Sequence, residues 1–326
     1  MKLYKEKDVK LQILKNTKIA VLGYGNQGEA QALCFRDSGL DVIIGLKKGS
    51  KSWKKVEKAG FKVFETSEAC AKADLIHILI PDEIQPEVFE KEIRKNLRAG
   101  KTISFSTGFG IHFGYIKPPK NVDVILFVPF SPGSEVRNFF LEKKGVPAMI
   151  GVHQNYSGKA KQKALALAKA CGCLRAGVLE GSFKEEAVQN LFGEQVALCG
   201  GQTELIKKTF ETITEKGYSP EIAYLEVVRQ MNLLSRLIRE GGIEFMWKKV
   251  SNTAEYGGRT RGSRVIDAHV KGNMKKILHE IESGKFAREW MNEKKSKFKK
   301  FEKLRKKQRK HKIEQTREKL QKSIEK

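Results

Sequence analysis

The chain has 326 residues, 40% of them hydrophobic, which is enough for two domains with buried cores. Its 63 basic and 38 acidic residues give a net charge of +25. No apolar run approaches the roughly 18 residues of a membrane span, and the charged start MKLYKEKDVKLQILK lacks the apolar stretch of a secretory signal. Five scattered cysteines, with neither a CxxC pair nor Cys/His zinc spacing, predict reduced thiols in a cytoplasmic compartment.

Short apolar runs come first along the chain: TKIAVL (17–22), DVIIGL (41–46), ADLIHILIP (73–81), KTISFST (101–107) and VDVILFVPF (122–130). Helix-compatible segments separate several of them. Near-continuous apolar strands alternating with helices predict a parallel sheet covered on both faces, so residues 1–182 read as a doubly wound α/β Rossmann domain.

Gly23-Tyr24-Gly25-Asn26-Gln27-Gly28 follows the first strand and opens a helix, the context that gives G-x-G-x-x-G its meaning. Glycines there permit a tight turn and close approach of a pyrophosphate, whose charge meets free N–H groups at the helix start. The second strand runs into GLKKGSKSW without the Asp or Glu that binds a ribose 2′-hydroxyl. Lys47, Ser50 and Ser52 supply a cation and two hydroxyls instead, which suit a 2′-phosphate and favour NADP(H) over NAD(H).

After Phe183 the apolar spacing changes to three and four, with Gly and Pro where helices should stop, so residues 183–326 read as an all-helical domain. Glu185 and Glu186 read as a solvated first helical turn. In QNLFGEQVALCGG, Asn190 and Glu194 lie four apart on one helical face, half of what a carboxylate metal site would need. From about residue 291 the chain holds 16 Lys/Arg and 5 Glu, a net of +11, and reads as a solvated basic tail able to bind nucleic acid through its phosphates without sequence selectivity.

An ordered series of motifs over about residues 15–315 resembles ketol-acid reductoisomerase of the short class. It comprises GYGNQG, GLKKGSKSW, LIPDEIQPEVFE, GFGIHFG, PGSEVR, GVPAMIGVHQ, FKEE…LFGEQ…LCGG, GYSPEIAYLE and SNTAEYG. The resemblance implies NADPH, a pair of Mg²⁺ ions, a knotted helical domain and a dimer that completes each active site. It also implies conversion of an acetohydroxy acid to a dihydroxy acid in valine and isoleucine biosynthesis, by an alkyl shift and then hydride transfer. By the same resemblance Tyr24, Gly25, Asn26 and Gln27 would line the pyrophosphate, and Lys47, Ser50 and Ser52 would hold the 2′-phosphate. Asp82, Glu83, Ile84 and Gln85 would border the adenosine and ribose, Gly133 would lie near the nicotinamide, and Ser251 would face the substrate.

The same motifs depart from the family where its chemistry resides. Thr107 takes the place of the catalytic histidine, and Phe130 that of the lysine in PKGPG. Of the four metal carboxylates only Glu194 and Glu226 remain, with Asn190 and Gln230 at the other two positions. Amides keep an acceptor oxygen but lose charge, and divalent ions about 3.5–4 Å apart need carboxylates to offset their repulsion. The expectation is an NADP(H)-binding family member whose chemistry is lost or altered, holding at most one Mg²⁺ weakly. It would pair with itself or with an active paralogue. The alternatives are a fully active enzyme and a repurposed polyanion-binding protein.

Overall fold

The computed structural model describes residues 2–324. The chain divides by packing into Met1–Gln189 and Asn190–Lys326, and each part is described by itself.

The first part opens with β1 (Leu3–Tyr4), β2 (Lys18–Leu22), α1 (Asn26–Asp37), β3 (Asp41–Leu46), α2 (Trp53–Lys58) and β4 (Lys62–Glu65). It continues with α3 (Thr66–Lys72), β5 (Leu75–Ile78), α4 (Gln85–Val88), β6 (Thr102–Phe105), α5 (Phe109–His112) and β7 (Asp123–Pro129). It closes with α6 (Gly133–Leu141), β8 (Ala148–Gln154), α7 (Ala160–Ala170), β9 (Val178–Glu180) and most of α8 (Phe183–Gly193).

Among the described residues nine strands form one sheet in the order β1-β9-β8-β7-β6-β5-β2-β3-β4. From β4 to β7 every pairing is parallel, the doubly wound arrangement expected of apolar strands alternating with helices. β8 departs from the parallel pattern: it pairs antiparallel with β7. The strand order reverses between β2 and β5, and the glycine loop leaves β2 at that point.

Strand alternation sends side chains into two layers. Ile19, Val21, Leu75 and Ile125 pack on one face with Phe35 and Leu167, while Ala20, Leu22, Ile76 and Ile103 pack on the other with Phe89. Each such burial stabilises by roughly 1.5–3 kcal/mol before the cost of ordering the chain. At the foot of the sheet Asp123 is fully buried, accepting from Ser157 N (2.9 Å) and Oγ (2.6 Å) and from Lys163 Nζ (2.7 Å).

The second part is helical throughout: α9 (Gly200–Glu215), α10 (Pro220–Tyr224), α11 (Met231–Trp247) and α12 (Asn252–Val265), then α13 (Ala268–Glu282), α14 (Lys285–Lys295), α15 (Lys299–Arg309) and α16 (Lys312–Ile324). α11 is interrupted at Gly242, whose φ of 84° breaks the helical path. Two π turns, Glu194–Leu198 and Leu225–Arg229, interrupt what 3.6-residue spacing alone would read as regular helix. The first requires the pair Gly200-Gly201: a Cβ on Gly200 would fall 2.0 Å from the Gln195 carbonyl oxygen, and one on Gly201 2.0 Å from that of Val196.

The basic tail is not simply solvated. Ile313 of α16 is buried with Phe210 and Ala223, His311 lies 2.9 Å from Glu211, and Lys319 pairs with Glu221 at 2.6 Å. Trp290, Phe298 and Phe301 form an aromatic cluster, and the Arg305 guanidinium sits 4.0 Å from the Phe301 ring centre. Among the described residues no helix is long and apolar enough to cross a membrane.

Burial pushes the Asp123 carboxyl up, but the hydrogen bonds from Lys163 and Ser157 outweigh it and hold it below the usual carboxylate range. Asp123→Asn is expected to cost about 2–3 kcal/mol near neutral pH, because it leaves the Lys163 ammonium, itself 16% exposed, without its counter-charge. A depressed carboxyl contributes stability that is complete above the ordinary Asp value of about 4 and fades as the pH falls through the lower folded value. Urea unfolding at a series of pH values should show an acid-side loss that is smaller in the variant, because carboxyls such as Asp37 and Glu180 are also held low and keep their share.

Candidate functional site

Nine of the twelve predicted cofactor residues converge on one cleft of about 710 Å³ at the carboxyl ends of the parallel strands. Tyr24, Gly25, Asn26, Gln27, Lys47, Ser50, Ser52, Asp82, Ile84 and Thr107 all line it. The glycine loop forms one wall. Gly28 must be glycine because a Cβ there would fall 2.3 Å from the Gly23 carbonyl oxygen, closing the turn that admits a phosphate. No side chain caps α1, so the N–H groups of its first turn are left for an anion. The Tyr24 ring is buried edge-on to Phe61 at 6.1 Å, and its hydroxyl has no hydrogen-bond partner among the described residues. Burial pushes that phenol up to about 12, so it stays neutral.

Past β3 the chain folds into a turn in which Ser50 N donates to the Lys47 carbonyl (3.0 Å) and Ser52 N to Ser50 Oγ (3.3 Å). This turn gathers an exposed ammonium and two hydroxyls on the cleft wall. At the end of β5, Gln85 braces the Pro81–Ile84 turn, donating to Ile80 O (2.8 Å) and Asp82 Oδ1 (3.1 Å). Gln85 itself is buried and Glu83 half-buried, and neither reaches the cleft wall. Gly133 also lies off that wall: it packs against Asn26, and Ser134 N donates to Asn26 Oδ1 at 3.0 Å. The PGSEVR turn thus braces the back of the glycine loop.

Thr107 reaches the cleft but spends its hydroxyl locally. Its Oγ1 lies 3.5 Å from Asp82 Oδ2 and accepts from Phe109 N at 3.2 Å. The adjoining Gly108 N donates to Glu186 Oε2, and Glu186 is buried at 6% exposure. This corrects the reading of Glu186 as a solvated helix-start residue. Its carboxylate anchors the loop that carries position 107, a role visible only once α8 is packed against that loop. Glu185 stays exposed and accepts from Ser182 N (2.7 Å) and Oγ (2.8 Å). Phe130 is 56% exposed beyond β7 and offers no charge.

The predicted metal positions are exposed, and they adjoin the two π turns. Asn190 sits late in α8, Glu194 opens the first turn, Glu226 lies in the second and Gln230 follows it. Gln230 Nε2 donates to Glu226 Oε2 at 2.5 Å. Ser251 caps α12, accepting from Ala254 N at 3.2 Å. Among the described residues no group of three or more His, Cys, Asp or Glu side chains is placed to hold a metal. Two carboxylates, one already bonded to an amide, do not fit a pair of divalent ions.

Residues 13–177 match the profile of the acetohydroxy acid isomeroreductase NADPH-binding domain, and residues 183–326 that of the ketol-acid reductoisomerase C-terminal domain. The chain belongs to the ketol-acid reductoisomerase family. It is 52% identical to Ketol-acid reductoisomerase (NADP(+)) of Petrotoga mobilis, over 97% of this chain and 96% of that one. It is 49% identical to the protein of the same name from Methanocaldococcus jannaschii, over 99% and 98% of the two chains. The solved structure of an NADH-preferring ketol-acid reductoisomerase from an uncultured archaeon is 43% identical, with a TM-score of 0.96 over 99% of both chains. The first part of this ketol-acid reductoisomerase family member is an NADPH-binding domain, and the glycine turn, the uncapped α1 and the Lys47–Ser52 turn all suit that nucleotide.

If Lys47 meets the 2′-phosphate, Lys47→Ala should weaken NADPH binding by roughly tenfold while leaving NADH within about twofold, as judged by cofactor fluorescence titration. Gly200→Ala should destabilise the protein by about 2 kcal/mol in thermal unfolding, since the added methyl meets the Gln195 carbonyl of the π turn.

Proposed function

We propose that this chain binds NADP(H) through its first part and that the isomeroreduction of acetohydroxy acids associated with its family has been lost or altered. The observation that carries this reading is the exchange of charge for amide at Asn190 and Gln230, with the Gln230 N–H turned onto Glu226. Two further positions point the same way. Thr107 caps its own turn beside Asp82, and a hydroxyl does not exchange protons near neutral pH as an imidazole does. Phe130 supplies no ammonium. The bound nicotinamide would supply a hydride. The glycine turn, Lys47, Ser50 and Ser52 bind and orient the dinucleotide without any of the four altered positions, so cofactor binding and full catalysis are separable here.

A second reading, a fully active NADP-dependent reductoisomerase of branched-chain amino-acid biosynthesis, is favoured by one observation. Relatives bearing that name are 49–52% identical over nearly their whole length. In the helical part Leu198, Ile222, Leu233, Ile238, Ile243 and Tyr256 are exposed apolar side chains, an arrangement that suits a second copy of this chain or an intact relative. The lysines of α15 suit a weak, salt-sensitive association with nucleic acid.

The purified protein, assayed with acetolactate, NADPH and excess Mg²⁺, should turn over at least about a thousandfold more slowly than an ordinary enzyme, whose rate is about 10 per second. Turnover at ordinary rates would establish the second reading. The combined replacement Thr107→His, Phe130→Lys, Asn190→Asp and Gln230→Glu should restore activity if the pocket is otherwise complete, while NADPH affinity stays within about twofold of the natural chain.

A further inference from the structure

A chain of buried polar groups runs beneath the glycine loop. Gln27 Nε2 donates to the Ser131 carbonyl at 2.8 Å, and Gln31 Nε2 donates to Gln27 Oε1 at 3.0 Å. Gln31 Oε1 lies 2.8 Å from His77 Nε2, and His77 Nδ1 lies 2.9 Å from Ser104 Oγ. A branch leads from Gln31 Nε2 to Ser106 Oγ (3.4 Å), which donates to the Phe127 carbonyl at 2.6 Å. Gln31, His77 and Ser104 are all fully buried.

The chain joins four elements. Gln27 and Gln31 are one turn apart on α1, His77 and Ser104 are direct cross-strand partners on β5 and β6, and Ser131 follows β7. The bonding directions follow from one another. The Gln31 nitrogen is committed to Gln27, so its oxygen faces His77, which must therefore carry its hydrogen on Nε2. Nδ1 is then left to accept the Ser104 hydroxyl. Burial lowers the imidazole to about 3, so it is neutral across the physiological range. The Phe35 and Phe127 rings, centred 5.6 and 6.3 Å from it, fix its plane.

An apolar set would seal α1 onto the sheet with less desolvation. What a fully satisfied polar chain adds is a single geometry. We infer that Gln31 and His77 are positioning residues for the dinucleotide pyrophosphate: through Gln27 they set the glycine turn and tie it to Ser131, beside Phe130. They touch no ligand themselves. This rests on the NADP(H) reading of the cleft and extends it to residues outside the cleft wall.

The test uses full-length protein, NADPH and adenosine 2′-monophosphate, which carries the 2′-phosphate but no pyrophosphate. In Gln31→Met/His77→Leu both partners of the central bond become apolar, and the Ser104 hydroxyl and Gln27 Oε1 each lose one partner, at a cost in stability. The expected result is an NADPH Kd raised roughly tenfold with the Kd for adenosine 2′-monophosphate within about twofold. Ser104→Ala removes only the far end of the chain and should shift NADPH in the same direction, by about two- to threefold, which keeps the test open if the double variant does not fold. Folded variants that bind NADPH as tightly as the natural chain would overturn the inference. So would an equal loss for both ligands, which marks a general structural defect. If the natural chain bound no NADPH, the cofactor assignment would fall, and this inference with it.

Discussion

Backbone N–H groups at the start of α1, left without a side-chain cap, are the constraint around which the first part of this molecule is organised. Such groups are costly to bury and attract anions when left open. The rest of the domain keeps them open. Gly28 lets the turn close tightly on Gly23, the strand order reverses so that a crevice forms there, and the PGSEVR turn braces the loop from behind through Asn26. Lys47, Ser50 and Ser52 line the same cleft and add a cation and two hydroxyls to it.

The helical part is governed by a different balance. Its candidate ligands, Glu194 and Glu226, adjoin two π turns, and such turns often mark functional sites in helices because they break the regular ladder. Here two of the four positions that the family resemblance assigns to metal carboxylates are amides, and the Gln230 amide bonds one of the two carboxylates. Asn and Gln match Asp and Glu in size. The change falls on electrostatics alone, the property on which an arrangement of neighbouring cations depends most steeply.

Much of this could be read from residue order. Continuous apolar strands gave away the parallel sheet, and the glycine spacing together with GLKKGSKSW located both ends of the nucleotide cleft. Other features depend on packing that no local pattern encodes. Glu186 reads as an ordinary acidic helix start, because the Gly108 N–H it receives lies 78 residues away in sequence. Gly133 and Gln85 serve as braces rather than wall residues, a distinction of about one side-chain depth. Ile313 is a lone apolar residue in a strongly basic stretch, yet α16 uses it to dock against Phe210 and Ala223. The first π turn did have a local signature, the pair Gly200-Gly201, but its meaning emerges only when the Gln195 and Val196 carbonyls are seen to occupy the space of the missing methyls.

That first π turn also sets phase. One extra residue in a helical turn rotates everything downstream by roughly 100° relative to a regular continuation. The face that α9 turns toward Ile313 and Ala223 is therefore selected at Glu194–Leu198, before α9 begins. In this stretch the length of the chain carries information alongside side-chain identity: deleting a single residue would redirect an entire helix, while glycine at 200 and 201 leaves the turn's carbonyls the room this heading needs.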